Sequence, residues 1–242
     1  MAYGMERVSN PGKITASQGH HVSRIIHKAY TRTGNGICVV MTNGPARHII
    51  TNSDGVQFYH TPLPFRQITE IPEYRFNDIR PDDHVIDIGA NVGAFCICAT
   101  RYSPHVVAVE PVTSERLAEN ILLNEVPVRV IEGALGDGKP TEICWDECRR
   151  MVPSYTLCQL IELSGGCDFL KCDCEGAEWL IKPKDLTGIR RLEMELHLPP
   201  ISGPPNKALL DYISHNYHIE IEHRPCHGPL GLMGYLHAEK RT

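Results

Sequence analysis

The stretch Val85-Ile86-Asp87-Ile88-Gly89-Ala90-Asn91-Val92-Gly93 decides the fold. A short apolar run suited to a buried strand meets a glycine turn, and the residues from Val92 to Tyr102 then have the length and apolarity of a helix. Strand, glycine turn and helix together open a crevice at the carboxyl end of a parallel sheet, where open α/β folds bind their ligands. Outward from this point the pattern repeats. His84 to Ile88, His105 to Glu110, Val128 to Ala134, Asp168 to Asp173 and Arg191 to His197 read as five strands. Ser114 to Asn124 reads as an amphipathic helix, with Leu117 and Ile121 on one face and Ser114 as its N-cap. Strands alternating with helices predict an α/β, mostly parallel, Rossmann-like sheet covered on both faces. Lys207 to Asn216 reads as a further helix. His218 to His223 and Leu232 to Ala238, joined by a Gly-Pro-rich turn, predict an antiparallel hairpin at the sheet edge.

The amino-terminal part has a different grain. Ile37 to Met41, His48 to Thr51 and Val56 to Tyr59 are short β-like runs separated by Asn43-Gly44-Pro45 and Asp54-Gly55. They predict a β-meander. Residues 61–82 are punctuated by proline and predict a connection containing some helix. The expected division is a β-rich extension over 1–75, capping the acceptor side, and a Rossmann-like domain over 76–242.

Composition narrows the function classes. A chain of 242 residues that is 42% hydrophobic can bury a substantial core. The net charge of −5 argues against a protein that binds nucleic acid through its overall field. No run reaches the roughly 18 apolar residues that cross a bilayer, and Met1 to Asn10 lack the apolar core of a signal peptide. No membrane association and a cytoplasmic location are expected. Ten cysteines raise the question of a metal or redox site built from Cys144, Cys148, Cys167, Cys172 and Cys174. No pair of C-x₂-C units stands at zinc-ribbon spacing. Cys96 and Cys98, inside an apolar run, and Cys172 and Cys174, on one face of a strand end, read instead as small buried hydrophobes. The thirteen histidines form no ligand pair beside such a unit.

The loop also bears on the ligand. A dinucleotide site needs G-x-G-x-x-G so that the backbone can approach the pyrophosphate. Asn91 and Ala94 occupy the second and third glycine positions here, which disfavours NAD. S-adenosylmethionine has no pyrophosphate and tolerates Asn91. In that reading Gly89, Asn91 and Gly93 form the turn, and Asp87 bonds the loop and the amino group of the methionine moiety. Glu110, at the end of the next strand about 20 residues on, grips the ribose hydroxyls.

Four ordered segments carry a resemblance. Residues 85–93, Glu110-Pro111 with Leu117, Glu119-Asn120 and Asn124, Ala134-Leu135-Gly136-Asp137, and Leu170-Lys171-Cys172-Asp173-Cys174-Glu175-Gly176-Ala177-Glu178 resemble the motifs of FkbM-type methyltransferases. The resemblance implies a class I methyltransferase fold and S-adenosylmethionine as donor, with Pro111, Ala134 and Leu135 joining the donor site. It also implies O-methylation of a small molecule or sugar-containing metabolite. Cysteines replace the family's Ile and Val around Asp173, and Cys158 stands where the family commonly has aspartate.

The chemistry of methyl transfer points to particular residues. Methyl transfer from a sulfonium is an in-line displacement governed by alignment. A hydroxyl acceptor must lose its proton to a general base or to a metal that acidifies it. Asp173 and Glu175 lie at the end of the fourth strand, and Glu193, Glu195 and His197 share one face of the fifth. Asp173, Glu175, Glu195 and His197 are therefore the candidate catalytic group. A general base is favoured over a divalent cation (Mg²⁺ or Mn²⁺), because strand ends supply few ligands. The competing structural readings are that Glu175 and Glu178 cap a helix, and that Glu193 and Glu195 pair with Arg190 and Arg191. An RNA ribose methyltransferase using Lys171 and a non-catalytic nucleotide-binding module are the alternative functions. A small hydroxylated acceptor is the expected partner, and nucleic acid is not.

Overall fold

The computed structural model describes residues 27–33, 36–42, 48–59, 68–76, 78–145, 148–224 and 231–242. The chain divides into two compact units, Met1–Arg47 and His48–Thr242. In the first, β1 (His27–Thr33) and β2 (Gly36–Thr42) form an antiparallel hairpin. In the second, β3 (Ile49–Thr51) and β4 (Gln57–Tyr59) form another. The expected meander is thus two hairpins in separate units. The run from Ile37 to Met41 pairs backward with β1, whose alternating polar residues gave no strand signal. Residues 48–75 also group with the sheet-bearing unit. Their Val56, Phe58, Ile71 and Tyr74 are buried in its core, so the division falls after Arg47.

The central sheet has seven strands in the order β14-β15-β13-β12-β5-β6-β7. β5 (Val85–Ile88), β6 (Val106–Glu110), β7 (Val128–Glu132), β12 (Phe169–Cys172) and β13 (Arg191–His197) run parallel. β15 (Leu232–Lys240) lies antiparallel between β13 and β14 (Tyr217–Glu222). β5 is central and is apolar on both faces except at Asp87, as a strand covered on both sides must be.

Two cores flank the sheet. One packs Val85, Val106, Ala108 and Phe169 against α1 (Ala94–Ala99) and α2 (Ser114–Leu123). The other packs Ile86, Ile88 and Leu170 against α3 (Leu157–Ser164) and α4 (Lys207–Asn216). α1 is shorter than expected and wholly buried, as its sequence AFCICA allows, so Cys96 and Cys98 are core residues. The cap of α2 lies one position earlier than expected: Thr113 is the N-cap and Ser114 already helical. In α2, the buried Asn120 donates to the Val92 carbonyl (2.8 Å) and accepts from the Tyr59 amide (3.1 Å). Asn124 exchanges two bonds with the Gln57 backbone (2.9 and 2.7 Å). The two asparagines thereby tie the β3–β4 hairpin to the glycine loop.

The expected strand over Val128 to Ala134 breaks at Gly133, where φ is +158°. β8 (Ala134–Leu135) then pairs in parallel with β11 (Ser154–Tyr155) instead of extending β7. Between them β9 (Thr141–Trp145) and β10 (Cys148–Val152) form a hairpin. Thr156 opens α3 with a capping box: its Oγ1 accepts from the Gln159 amide and Gln159 Oε1 accepts from the Thr156 amide (3.3 and 2.9 Å). That role gives the segment before Cys158 a structural purpose, and Cys158 itself is exposed. No helix among the described residues is long and apolar enough to cross a membrane.

Candidate active site

The glycine turn after β5 is shaped by the strand next to it. At Gly89 φ is +73°, and a Cβ there would lie 1.7 Å from the Asp173 carbonyl oxygen. Glycine is required by the close approach of the β12 end, before any ligand is considered. Asn91 adopts a left-handed φ of +48° without being glycine, a strain that accumulates at functional sites. Its amide donates to Glu110 Oε2 (2.8 Å), and its buried Oδ1 has no hydrogen-bond partner among the described residues. Glu110 Oε1 accepts from the amides of Val112 and Thr113 (2.7 and 3.0 Å). One carboxylate therefore holds together the loops after β5 and β6.

These loops border an open cleft. Of the expected donor residues, Gly89, Asn91, Glu110, Pro111, Ala134 and Leu135 line it. Gly93 does not line it; with φ at +100° it caps α1. Asp87 also lies outside the lining. Its side chain is fully buried, with Oδ1 3.1 Å from Lys171 Nζ and Oδ2 accepting from the Cys96 amide (3.1 Å). The expected bond from Asp87 to a ligand amino group is corrected accordingly: the carboxylate is already committed to a lysine and to the α1 backbone. Burial pushes the Asp87 carboxyl up, with Lys171 pulling it back.

Lys171 was read from sequence only as an element of a rival function. In the structure its Nζ also donates to the Gly89 carbonyl (2.9 Å) and stands 3.9 Å from Asp173 Oδ2. Burial works against its charge, but Asp87 and Asp173 outweigh burial and hold the ammonium well above its ordinary range. It is a buried counter-ion with no outward face.

The four expected catalytic side chains come together at the carboxyl ends of β12 and β13. His197 is 2% exposed. Its Nε2 points between Glu175 Oε2 (3.4 Å) and Asp173 Oδ1 (4.0 Å). Its Nδ1 faces Glu178 Oε1 at 3.1 Å, and the same oxygen accepts from the His197 amide (2.7 Å). Glu178 Oε2 accepts from the Gly176 amide (2.8 Å). The fully buried Glu178 thus fixes the ring, a role the helix-cap reading of Glu178 did not contain. Burial disfavours a charged His197, but the Glu178 hydrogen bond and the surrounding carboxylates raise it to about 9. Glu195 shares a hydrogen bond with Asp173; burial, then the Asp173 charge, pushes it up to about 8. Burial likewise raises Glu175, against the pull of His197. Glu175 also has a left-handed φ of +54°.

Tyr74, which the sequence did not single out, donates to Asp173 Oδ2 (3.0 Å) and packs edge-on against Phe95 and Tyr235. A lone tyrosine in a proline-punctuated connection gives no signal for this. Glu193 is not part of the group. It accepts from Arg191 (2.6 Å), faces His237 Nδ1 (2.7 Å) and accepts from the Arg75 amide (2.9 Å), so it anchors the sheet edge. Arg190 pairs with Asp83 (2.6 Å) and not with either glutamate. Among the described cysteines, Cys172 and Cys174 approach at 3.4 Å, while Cys144 is exposed and Cys167 buried elsewhere.

No family model matches the chain, and no curated protein sequence does either. Solved structures similar to it include a putative methyltransferase, yhhF, from Escherichia coli (14% identity, 82% of this chain and 100% of that one, TM-score 0.45). Others are Trm5b from Pyrococcus abyssi (16%, 88% and 62%, 0.44) and a precorrin-6y C5,15-methyltransferase from Geobacter metallireducens (12%, 67% and 82%, 0.43). The fold is a mostly parallel, Rossmann-like α/β sheet with an antiparallel edge pair. At these identities the likeness concerns the path of the chain, and this chain spans less than two thirds of the Pyrococcus protein.

Proposed function

We propose that the protein is an S-adenosylmethionine-dependent methyltransferase that methylates a hydroxyl group of a small molecule, sugar-containing metabolites included. The observation that carries the reading is the position of Asp173. It lines the cleft bordered by the glycine turn, accepts a hydrogen bond from Tyr74 and stands beside Glu195 and His197. A donor in the cleft and an acceptor at that group would therefore meet at one side chain.

The cleft suits the donor on its own features. Ile88, Val109, Leu135 and Ile143 give an apolar wall for an adenine ring. Glu110, also in the lining, offers a carboxylate for ribose hydroxyls. The bound donor supplies an electrophilic methyl group. The chain's own residues would then orient the acceptor and take its proton. Tyr74 and Lys171 fix one oxygen of Asp173, which leaves the other toward His197. The acceptor proton would pass to the Asp173 carboxylate, which lines the cleft.

The test is donor binding by calorimetry followed by labelled methyl transfer to a panel of hydroxylated metabolites. Asp173→Asn should bind donor nearly as the parent does and lower kcat roughly 10²–10⁴-fold, the usual worth of a positioned base. Absence of donor binding, or full turnover in Asp173→Asn, would refute the reading.

A further inference from the structure

Asp173, Glu175 and His197 each turn one ligand atom toward a common point, all three within 4.8 Å of one another. Two ligands each about 2.1 Å from one ion stand roughly 3.0–4.2 Å apart, depending on the angle between them. The separations of 3.4 and 4.0 Å from His197 Nε2 fall inside that span. We infer that Asp173 Oδ1, Glu175 Oε2 and His197 Nε2 form a binding site for a divalent first-row transition ion of the Mn²⁺ class.

Two observations beyond the carboxylates support this. First, the His197 side chain is almost wholly buried, yet its Nε2 makes no hydrogen bond among the described residues; only Nδ1 is engaged, by Glu178. A buried imidazole held at one nitrogen by a carboxylate and aimed with the other between two more is the arrangement that metal-ligating histidines adopt. Second, the positive charge nearby is already assigned. Lys171 is bound to Asp87 and to the Gly89 carbonyl, and its remaining contact, at 3.9 Å, is with Asp173 Oδ2 and not with the oxygen nearer His197. Asp173, Glu175 and Glu178 all stand within 4.0 Å of the one imidazole, an excess of negative charge that a dication would offset. One imidazole with two carboxylates favours Mn²⁺-type ions over Ca²⁺ or Mg²⁺, which prefer oxygen alone. The strained left-handed Glu175 is the residue that brings the third ligand into reach.

This site deepens the proposed function, because an ion there would acidify an acceptor hydroxyl, but its binding can be measured without donor or acceptor. The probe is Mn²⁺ added to the full chain, followed by calorimetry and by electron paramagnetic resonance. Saturable one-to-one binding at sub-millimolar Mn²⁺ is expected, with hyperfine coupling to an imidazole nitrogen. His197→Ala should abolish that coupling. Glu175→Gln, at a half-exposed side chain that the fold does not need, should weaken binding at least tenfold. Glu178→Gln, a positioning change, should weaken it roughly 10–100-fold. Glu220→Gln, on the exposed Arg75 pair, should leave it unchanged. No saturable binding, or binding that His197→Ala and Glu175→Gln leave intact, overturns the assignment. Donor affinity measured in EDTA separates this outcome from failure of the methyltransferase reading.

Discussion

Replacing Lys171 by methionine should destabilise the protein far more than a surface lysine would. Lys171 is 4% exposed and Asp87 is fully buried, with their charged atoms 3.1 Å apart. Without the ammonium, Asp87 keeps only the Cys96 amide as a partner. Breaking a buried pair by removing one member costs about 3–5 kcal/mol, because the other charge is left uncompensated. The Gly89 carbonyl also loses its donor. In urea unfolding at pH 7.5, followed by circular dichroism without donor or metal, Lys171→Met should lose about that amount. Asp87→Asn in the same background should return part of it, a coupling of roughly 1–3 kcal/mol. The pH dependence has a definite sign. The Asp87 carboxyl is already raised above 3.8 in the folded parent, so its contribution is fully present below that value and is lost as pH rises through the folded one. Without Lys171 the folded value climbs further, so the variant's deficit should shrink toward acid pH. A loss under about 1 kcal/mol, or strict additivity of the two substitutions, would show that the pair does not hold the loop.

Four further variants test the same geometry. Glu110→Ala should weaken S-adenosylmethionine binding by about 2–3 kcal/mol, the worth of hydrogen bonds to a charged group, and an unchanged isotherm would remove Glu110 from the donor site. Gly89→Ala should not give a stable fold, since its Cβ would meet the Asp173 carbonyl at 1.7 Å; a soluble variant with parental melting would contradict this. A chain lacking residues 1–47 should keep its melting temperature and donor binding, since His48–Thr242 is a compact unit by itself; loss of either would contradict that division. One lacking residues 1–76 should fail to fold, because Val56, Phe58, Ile71 and Tyr74 go with it, each large core deletion costing about 2–5 kcal/mol. The two truncations together locate the unit boundary.

The fold was legible because it rests on local pattern. Apolar runs of strand length, a glycine turn and periodic helices give the five parallel strands and the reversed edge pair within a residue or two. The errors arose where pairing is not local. The direction in which Ile37 to Met41 pairs depends on β1, whose sequence HKAYTRT carries no apolar alternation. The break at Gly133 depends on β11, about 20 residues later, offering β8 a parallel partner. In the site, the charged side chains at strand ends were visible because acids are seldom buried without purpose. Tyr74 and Glu178 were not, since each acts through a contact that only the fold creates.

The density of charged groups in Leu170-Lys171-Cys172-Asp173-Cys174-Glu175-Gly176-Ala177-Glu178 has a geometric cause. Along β12 alternate residues face opposite ways. Lys171 and Asp173 therefore share a side, the first reaching down to Asp87 and the second out to Tyr74 and Glu195. Cys172 points to the other side and joins the core with Ile88 and Leu170. Beyond Asp173 the chain must leave the strand and still return beneath β13. The left-handed pair Glu175 and Gly176 makes that turn, and at Gly176 a Cβ would lie 2.4 Å from that of Ser202. A 3₁₀ turn over Ala177–Leu180 follows, and it sets Glu178 against the His197 ring. One short segment thus neutralises the buried aspartate of the glycine turn, provides Asp173 and Glu175, and orients His197 on the adjacent strand. Substitutions at Lys171 or Glu178 should consequently disturb the chemistry of Asp173 and His197 although neither residue lines the cleft.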